Sequence, residues 1–350
     1  RPEFALADLI WRKLFIENSP VSEACRGPLT SLKMLGISAK SRSLDKARAY
    51  FKKLTPAQYI DIVFEKANVK QVVMTNDPFD EAEHAVWMKK PRVDKRFAPA
   101  LRIDPILTAW PKAAAQLRKW GYKAKTKIDV QTVKETRRFL TDWITRINPL
   151  YLAVSLPPDF TCPDRSARSA MIRDVVLPVA HDAGIPFAMM IGVRKLVNPG
   201  LGLAGDSLGA ADGTVIENLC REFPDNRFLV TMLSRENQHQ LCVSARKFGN
   251  LMPFGCWWFL NNPSLVEEMT RMRTELLGLS YIPQHSDARV LDQLLYKWTH
   301  SRAVIAKVLT DKYQDLAATG WQLKREDIKR DVANLFGGNF ERFLADTPKA

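Results

Sequence analysis

The feature that most constrains this chain is an alternation of short apolar runs with amphipathic segments, which begins after residue 68. The runs are Gln71–Thr75, Phe97–Ile103, Tyr151–Leu156, Phe187–Val193, Phe228–Leu233, Met252–Phe259 and Leu279–His285. Each is rich in Val, Ile, Phe, Tyr or Met, and most are followed by a polar turn carrying Pro or Gly, as strands are. Helical stretches lie between them. In Ser264–Leu277, Asn262 can cap, Pro263 suits the first turn and Gly278 closes the end, with Leu265, Met269, Met272 and Leu276 on one face. Strands alternating with helices build a parallel sheet, either open and doubly wound or closed as a barrel. No Gly-x-Gly-x-x-Gly fingerprint or P-loop follows any run, which leaves the dinucleotide-binding open sheet with little support. A (β/α)8 barrel needs eight strands, and seven are visible.

The expected fold is therefore α/β, a (β/α)8 TIM barrel with seven strands visible and helical additions at both ends. Residues 1–68 read as a helical segment following an absent first strand. Residues 69–310 read as barrel strands and helices two to eight, and 311–350 as C-terminal helices packed on the barrel, one domain in all. Within the first segment, Ala5–Trp11 and Ala47–Leu54 repeat apolar residues at helical spacing, and Thr55-Pro56 opens the next helix. The chain starts Arg1-Pro2-Glu3-Phe4 directly in helical pattern, which reads as the interior of a longer protein.

Composition sharpens the function classes. With 350 residues, 46% hydrophobic and 26% charged, the chain has ordinary globular composition. No apolar run approaches the roughly 18–20 residues of a bilayer span, so no membrane partner is expected. Cys25, Cys162, Cys220, Cys242 and Cys256 are scattered without CxxC spacing. They read as buried thiols of a reducing compartment, which makes the expected location cytoplasmic. The net charge of +14 invites a nucleic-acid reading, with basic stretches at Lys89–Arg96 and Lys112–Lys127. No recognition motif accompanies them, so they read as solvated helix faces and no specific nucleic-acid partner is expected. A homo-oligomer is left open.

In a barrel, functional side chains gather at the C-terminal ends of the strands. Those ends read Thr75-Asn76-Asp77-Pro78, Arg102-Ile103-Asp104-Pro105, Gly192-Val193-Arg194-Lys195, Trp257-Trp258-Phe259 and His285-Ser286-Asp287-Ala288-Arg289. If the last of these is extended, His285, Asp287 and Arg289 point to one side. A carboxylate at that place needs a metal ion or an arginine beside it, because an unpaired buried charge is too costly. The five histidines, His84, His181, His239, His285 and His300, include no His-x-His and no His-x-x-x-His. His84, His181 and His300 fall in helical stretches and read as structural. No nucleophile elbow exists, and Gly205-Asp206-Ser207-Leu208-Gly209 reads as a turn.

Taken together, these pieces resemble the uronate (glucuronate) isomerases of the metal-dependent amidohydrolase superfamily, over essentially the whole chain. The matching segments are Val73–Pro78, Leu101–Asp104, Gly192–Arg194, Gly205–Gly209, Gly255–Phe259 and Asp287–Arg289. The resemblance implies an isomerase that interconverts an aldo-uronate and a keto-uronate, of the glucuronate to fructuronate type, with a small anionic sugar acid as substrate. It implies one divalent metal, commonly zinc, held by a His-x-His pair on the first strand and an Asp on the eighth. Asp287 matches that Asp, His285 is a further candidate ligand, and the remaining ligands are expected upstream of Arg1. The chain as given is then expected to bind metal poorly, and whether this fragment alone is active is left open. Asp287 and Arg289 are the catalytic candidates. Arg102, Arg289, Trp257, Trp258 and Arg194 are the substrate-binding candidates. One departure marks a divergent subgroup: the family's fifth strand shows His-x-Gly-x-x-Arg, where this chain has Met189-Met190-Ile191-Gly192-Val193-Arg194. A metal-dependent hydrolase of the same superfamily, or a degenerate non-catalytic barrel, is the alternative.

Overall fold

Alternate residues of each apolar run belong to different cores, and that period of two organises the sheet. The computed structural model describes residues 2–346. Its strands are β1 (Val72–Asn76), β2 (Phe97–Arg102), β3 (Leu152–Leu156), β4 (Phe187–Ile191), β5 (Val193–Arg194), β6 (Ser207–Leu208), β7 (Phe228–Met232) and β8 (Leu251–Pro253). Six of them form one parallel sheet in the order β1-β2-β3-β4-β7-β8, so that each strand lies beside the next one with a helical crossover between. A parallel bridge from Phe254 to Ile282 adds the seventh position. This is an α/β fold with the sequential strand order of a (β/α)8 barrel.

One face of these strands presents Leu101, Leu152, Val154, Leu156, Phe187, Met189, Ile191, Phe228, Val230 and Met232, all buried against the crossover helices. The other face is lined by smaller side chains, Ala100, Ala153 and Ala188, together with Leu229, Phe254 and Ile282. Its lower end is plugged by the helix Asn339–Ala345. Phe343 packs into that inner cluster, with Phe340 and Leu344 beside it. Asn339 Nδ2 donates to the carbonyls of Leu279 and Tyr281, at 2.6 and 2.9 Å, and Arg227 donates to those of Phe343 and Gly184. The carbonyls of Leu279, Tyr281 and Gly184 lie just before the strand positions that follow them, at the N-terminal end of the sheet, so the opposite, C-terminal end is the one left for chemistry.

Several runs stop earlier than their apolar length suggests, each for a local reason. The Phe187–Val193 run breaks at Gly192, whose φ of +119° turns Val193 and Arg194 away from the sheet. They pair instead, antiparallel, with Ser207 and Leu208, so the segment expected as a turn is part of a two-stranded ribbon. The Met252–Phe259 run ends at Pro253, because Gly255 and Trp258 both take left-handed backbone, φ +71° and +44°. The last run retains only the bridge at Ile282, since Pro283 has no N–H with which to extend a ladder.

The helical expectations are met in detail at Thr55, which caps Pro56–Ala67 in a capping box with Gln58. Asn262 Oδ1 likewise accepts the Leu265 amide at the start of Pro263–Leu277, and Gly278 follows with φ +61°. The buried face of that helix is rotated from the expected one. It carries Val266, Met269, Thr270 and Arg273, while Leu265, Met272 and Leu276 are half-buried. Trp110 is buried, and His84 stacks on Trp120 at 4.3 Å, so the aromatic residues among the basic stretches belong to the core. Among the described residues, no helix is long and apolar enough to cross a membrane.

The chain divides into two compact units. One comprises Arg1–Lys70, Asn261–Glu267 and Ser286–Gln314, and the other Gln71–Leu260, Glu268–His285 and Asp315–Ala350. The sheet lies wholly in the second. In the first, His300 bonds Glu23 at 2.8 Å and Thr30 at 2.9 Å, and Tyr59 donates to Asp292.

Candidate active site

At the C-terminal end of β2 the inner face changes from alanine to arginine. Arg102 ends the strand in register with Ala153. Its Nε and Nη2 both donate to Asp104, each at 2.9 Å, a forked ion pair of the kind guanidinium geometry favours. Asp104 also accepts the Ser155 amide at 3.3 Å, which ties the pair to the end of β3. Asp104's hydrogen bonds hold Arg102 above the ordinary arginine range, against the pull of burial.

Next to this pair, at the end of β1, Asp77 Oδ1 accepts the Phe79 amide at 2.9 Å, and Glu83 accepts the Asp77 amide at 2.9 Å and Asn76 Nδ2. Burial pushes the Asp77 carboxyl above the ordinary aspartate range. The Phe79 amide and Arg102 oppose that push, and Asp104 and Glu83 reinforce it. Three carboxylates thus share the neighbourhood of one guanidinium, and only Asp104 engages it as a fork.

At the other strand ends the candidates fall into two kinds. Trp257 is buried with Val193 and Leu233 in an apolar cluster that Met190, Leu208 and Trp258 extend. Trp258 is half-buried and stacks on Phe259 with ring centroids 4.2 Å apart. A bulky residue with positive φ is a strained one, and strain of this kind gathers at functional sites. Arg194 is exposed on the ribbon, beside Lys195, whose ammonium lies 3.4 Å from Asp206. The His285 ring packs over Gly255 and lies 5.0 Å from Phe254. Gln284 Oε1 accepts the amides of both Cys256 and His285 at 3.1 Å, pinning the last strand to the end of β8.

Asp287 and Arg289 belong to the other unit. The extended geometry expected for them does not hold: Asp287 has φ +46°, so His285, Asp287 and Arg289 do not alternate as on a strand. Asp287 is half-buried, and its carbonyl accepts Lys297 Nζ at 2.8 Å. The Arg289 amide donates to Gln293 at 2.7 Å. Burial pushes the Lys297 ammonium below the usual lysine range. Asp287 opposes that shift and Arg289 adds to it. Lys297 had no signal in the sequence, where it is one of three lysines on the helix Asp292–Ala318. Among the described residues, no group of three His, Cys, Asp or Glu side chains is placed to hold a metal ion.

No family model and no curated protein matches this chain. Solved structures do. The chain is similar to a uronate isomerase from Bacillus halodurans C-125, with 56% identity and a TM-score of 0.96, covering 98% of this chain and 81% of that one. A uronate isomerase from Thermotoga maritima matches at 13% identity and TM-score 0.74, over 96% of this chain and 80% of that one. A glucuronate isomerase from Caulobacter crescentus matches at 13% identity and TM-score 0.69, over 86% and 69%. The last two show likeness of fold alone.

Proposed function

The chain belongs to the uronate isomerase family, and from that membership we propose that it interconverts an aldo-hexuronate and a keto-hexuronate of the glucuronate to fructuronate type. The observation that carries this reading is 56% identity over 98% of the chain.

The reaction moves a proton between C2 and C1 while the carbonyl shifts the opposite way. It needs a base, a group that stabilises the developing oxyanion, and cations for the substrate carboxylate. In this reading the Asp287 carboxylate takes and returns the proton. Arg102 and Arg289 hold substrate oxygens, since the guanidinium fork matches a carboxylate. What supports Arg102 is its exposure: 35% of the side chain remains accessible at a strand end although its stem is ordered. Trp258 would wall the sugar, with Trp257 supporting it from the buried cluster, and Arg194 would reach the anion from the ribbon.

The family's divalent metal, zinc by resemblance, fits these residues poorly. Asp287 supplies one carboxylate, and the described side chains form no three-membered ligand group around it or elsewhere. His285 would supply a second ligand. A cytoplasmic location belongs to the same reading, supported by five buried cysteines that form no disulfide. The test is to incubate the protein with a panel of hexuronates and follow ketose formation. Turnover of at least one supports the reading, and turnover of none opposes it.

A further inference from the structure

We propose that Asp104 is a positioning residue for substrate capture: it grips Arg102 by its Nε–Nη2 edge so that Nη1 is presented to the carboxylate of the anionic sugar. This rests on the reading of Arg102 as a substrate-binding residue.

The need for such a residue follows from the packing. Arg102 stands on the inner face of the sheet, where its neighbours along and across the strands are Ala100 and Ala153. Methyl groups cannot hold a long, rotamer-rich stem in one orientation, so polar contacts must do it. An arginine that had to be ordered at each binding event would lose affinity for its anion, because freezing its rotamers opposes binding. Asp104 supplies the order in advance. Both of its oxygens meet the guanidinium at 2.9 Å, and only 17% of its side chain is accessible. The carboxylate is itself fixed from two sides, by its place at the start of the helix Asp104–Thr108 and by the Ser155 amide from β3.

The other carboxylates nearby are committed elsewhere. Glu83 serves the Asp77 amide and Asn76, and Asp77 serves the Phe79 amide. Asp104 uses one edge of the guanidinium and leaves Nη1, which has no hydrogen-bond partner among the described residues. The two possible roles of Asp104 predict opposite signs. If it only balances charge, removing it strengthens attraction for an anion. If it orients Arg102, removing it weakens binding.

The experiment compares Asp104→Asn, Asp104→Glu, Arg102→Met and the Asp104→Asn/Arg102→Met pair with the unaltered protein, using turnover of a hexuronate and thermal melting. Losing an orienting charged hydrogen-bond pair is worth roughly 10- to 100-fold in binding. We expect Asp104→Asn to raise KM by about that factor with kcat within about threefold and an unchanged melting temperature. Asp104→Glu should recover part of the loss. Adding Asp104→Asn to Arg102→Met should cost nothing further, because the oriented group is already gone. A lowered or unchanged KM in Asp104→Asn, or penalties that multiply in the pair, would overturn the proposal. If the unaltered protein turns over no hexuronate, it is the isomerase reading that fails. Positioning is then read from the NMR signal of the Arg102 Nε–H. Exchange protection lost in Asp104→Asn supports the fork, and protection unchanged by it refutes the fork.

Discussion

Replacing Gly255 with alanine isolates how the last strand is seated against β8. Gly255 has φ +71°, and a Cβ built on it would lie 1.9 Å from His285 Cδ2, 2.6 Å from Cγ and 2.8 Å from Nε2. The ring cannot step aside cheaply, since Nε2 is buried and Phe254 lies on its flank. Left-handed backbone costs an alanine roughly 1–2 kcal/mol. Overpacking against a buried ring adds about 1–3 kcal/mol. The loss of unfolded-state freedom offsets about 0.4–1 kcal/mol of this. The net destabilisation is therefore roughly 1–4.5 kcal/mol, a fall in melting temperature on the order of 5 °C. Thermal denaturation of Gly255→Ala, repeated in a His285→Ala background, separates the two contributions. Without the ring, only the backbone cost remains, so the penalty should shrink by about 1–3 kcal/mol. An equal penalty in both backgrounds would refute the close approach. No penalty in either would refute the left-handed backbone as well.

Two further outcomes follow from the same structure. Asp77 has its carboxyl raised by burial, so the folded state binds the proton more readily than the unfolded chain, and its ionisation opposes folding once the pH exceeds the raised value. Asp77→Asn should therefore raise the melting temperature at pH 7, with the gain fading as the pH falls through that raised value towards 3.8. A gain independent of pH would contradict this. Arg273 is 1% exposed and its Nε has no hydrogen-bond partner among the described residues, while its hydrogen bonds to the Ile282 carbonyl and Gln238 are long at 3.4 and 3.5 Å. A buried charge so weakly compensated contributes little stability, so Arg273→Met should melt within a few degrees of the parent or above it. Arg273→Ala should lose about 2–5 kcal/mol to the cavity it opens, and a large loss for the methionine variant as well would count against the argument.

The strands were legible because burial on both faces leaves continuous apolar runs, and the structure finds a ladder or bridge within every one of the seven. Their ends were less legible. A two-residue pairing such as Val193-Arg194 with Ser207-Leu208 is too short to carry a period, and it depends on the turn at Gly192. The helix Pro263–Leu277 was visible, but its buried face was not, because an arginine occupies a core position there that apolar periodicity does not anticipate. At the site, Arg102 and Asp104 stand two residues apart at a strand end, where their residue types stand out in the sequence. Their fork is a matter of side-chain rotamers that spacing does not fix. Asp287 was found by its residue type. Its left-handed backbone and its anchoring by Lys297 depend on a helix that begins at Asp292, and nothing in the local sequence announces them.

The most direct test of the central reading is a ketose assay on D-glucuronate and related hexuronates, run on the unaltered protein and on Asp287→Asn. The account predicts conversion to the keto-uronate by the first, and loss of at least about 1,000-fold in the second, as for removal of a group acting in the transition state. The variant should melt within a few degrees of its parent. Undiminished isomerisation by a folded Asp287→Asn protein would contradict the assignment of that carboxylate, and failure of the unaltered protein on every hexuronate would contradict the function itself.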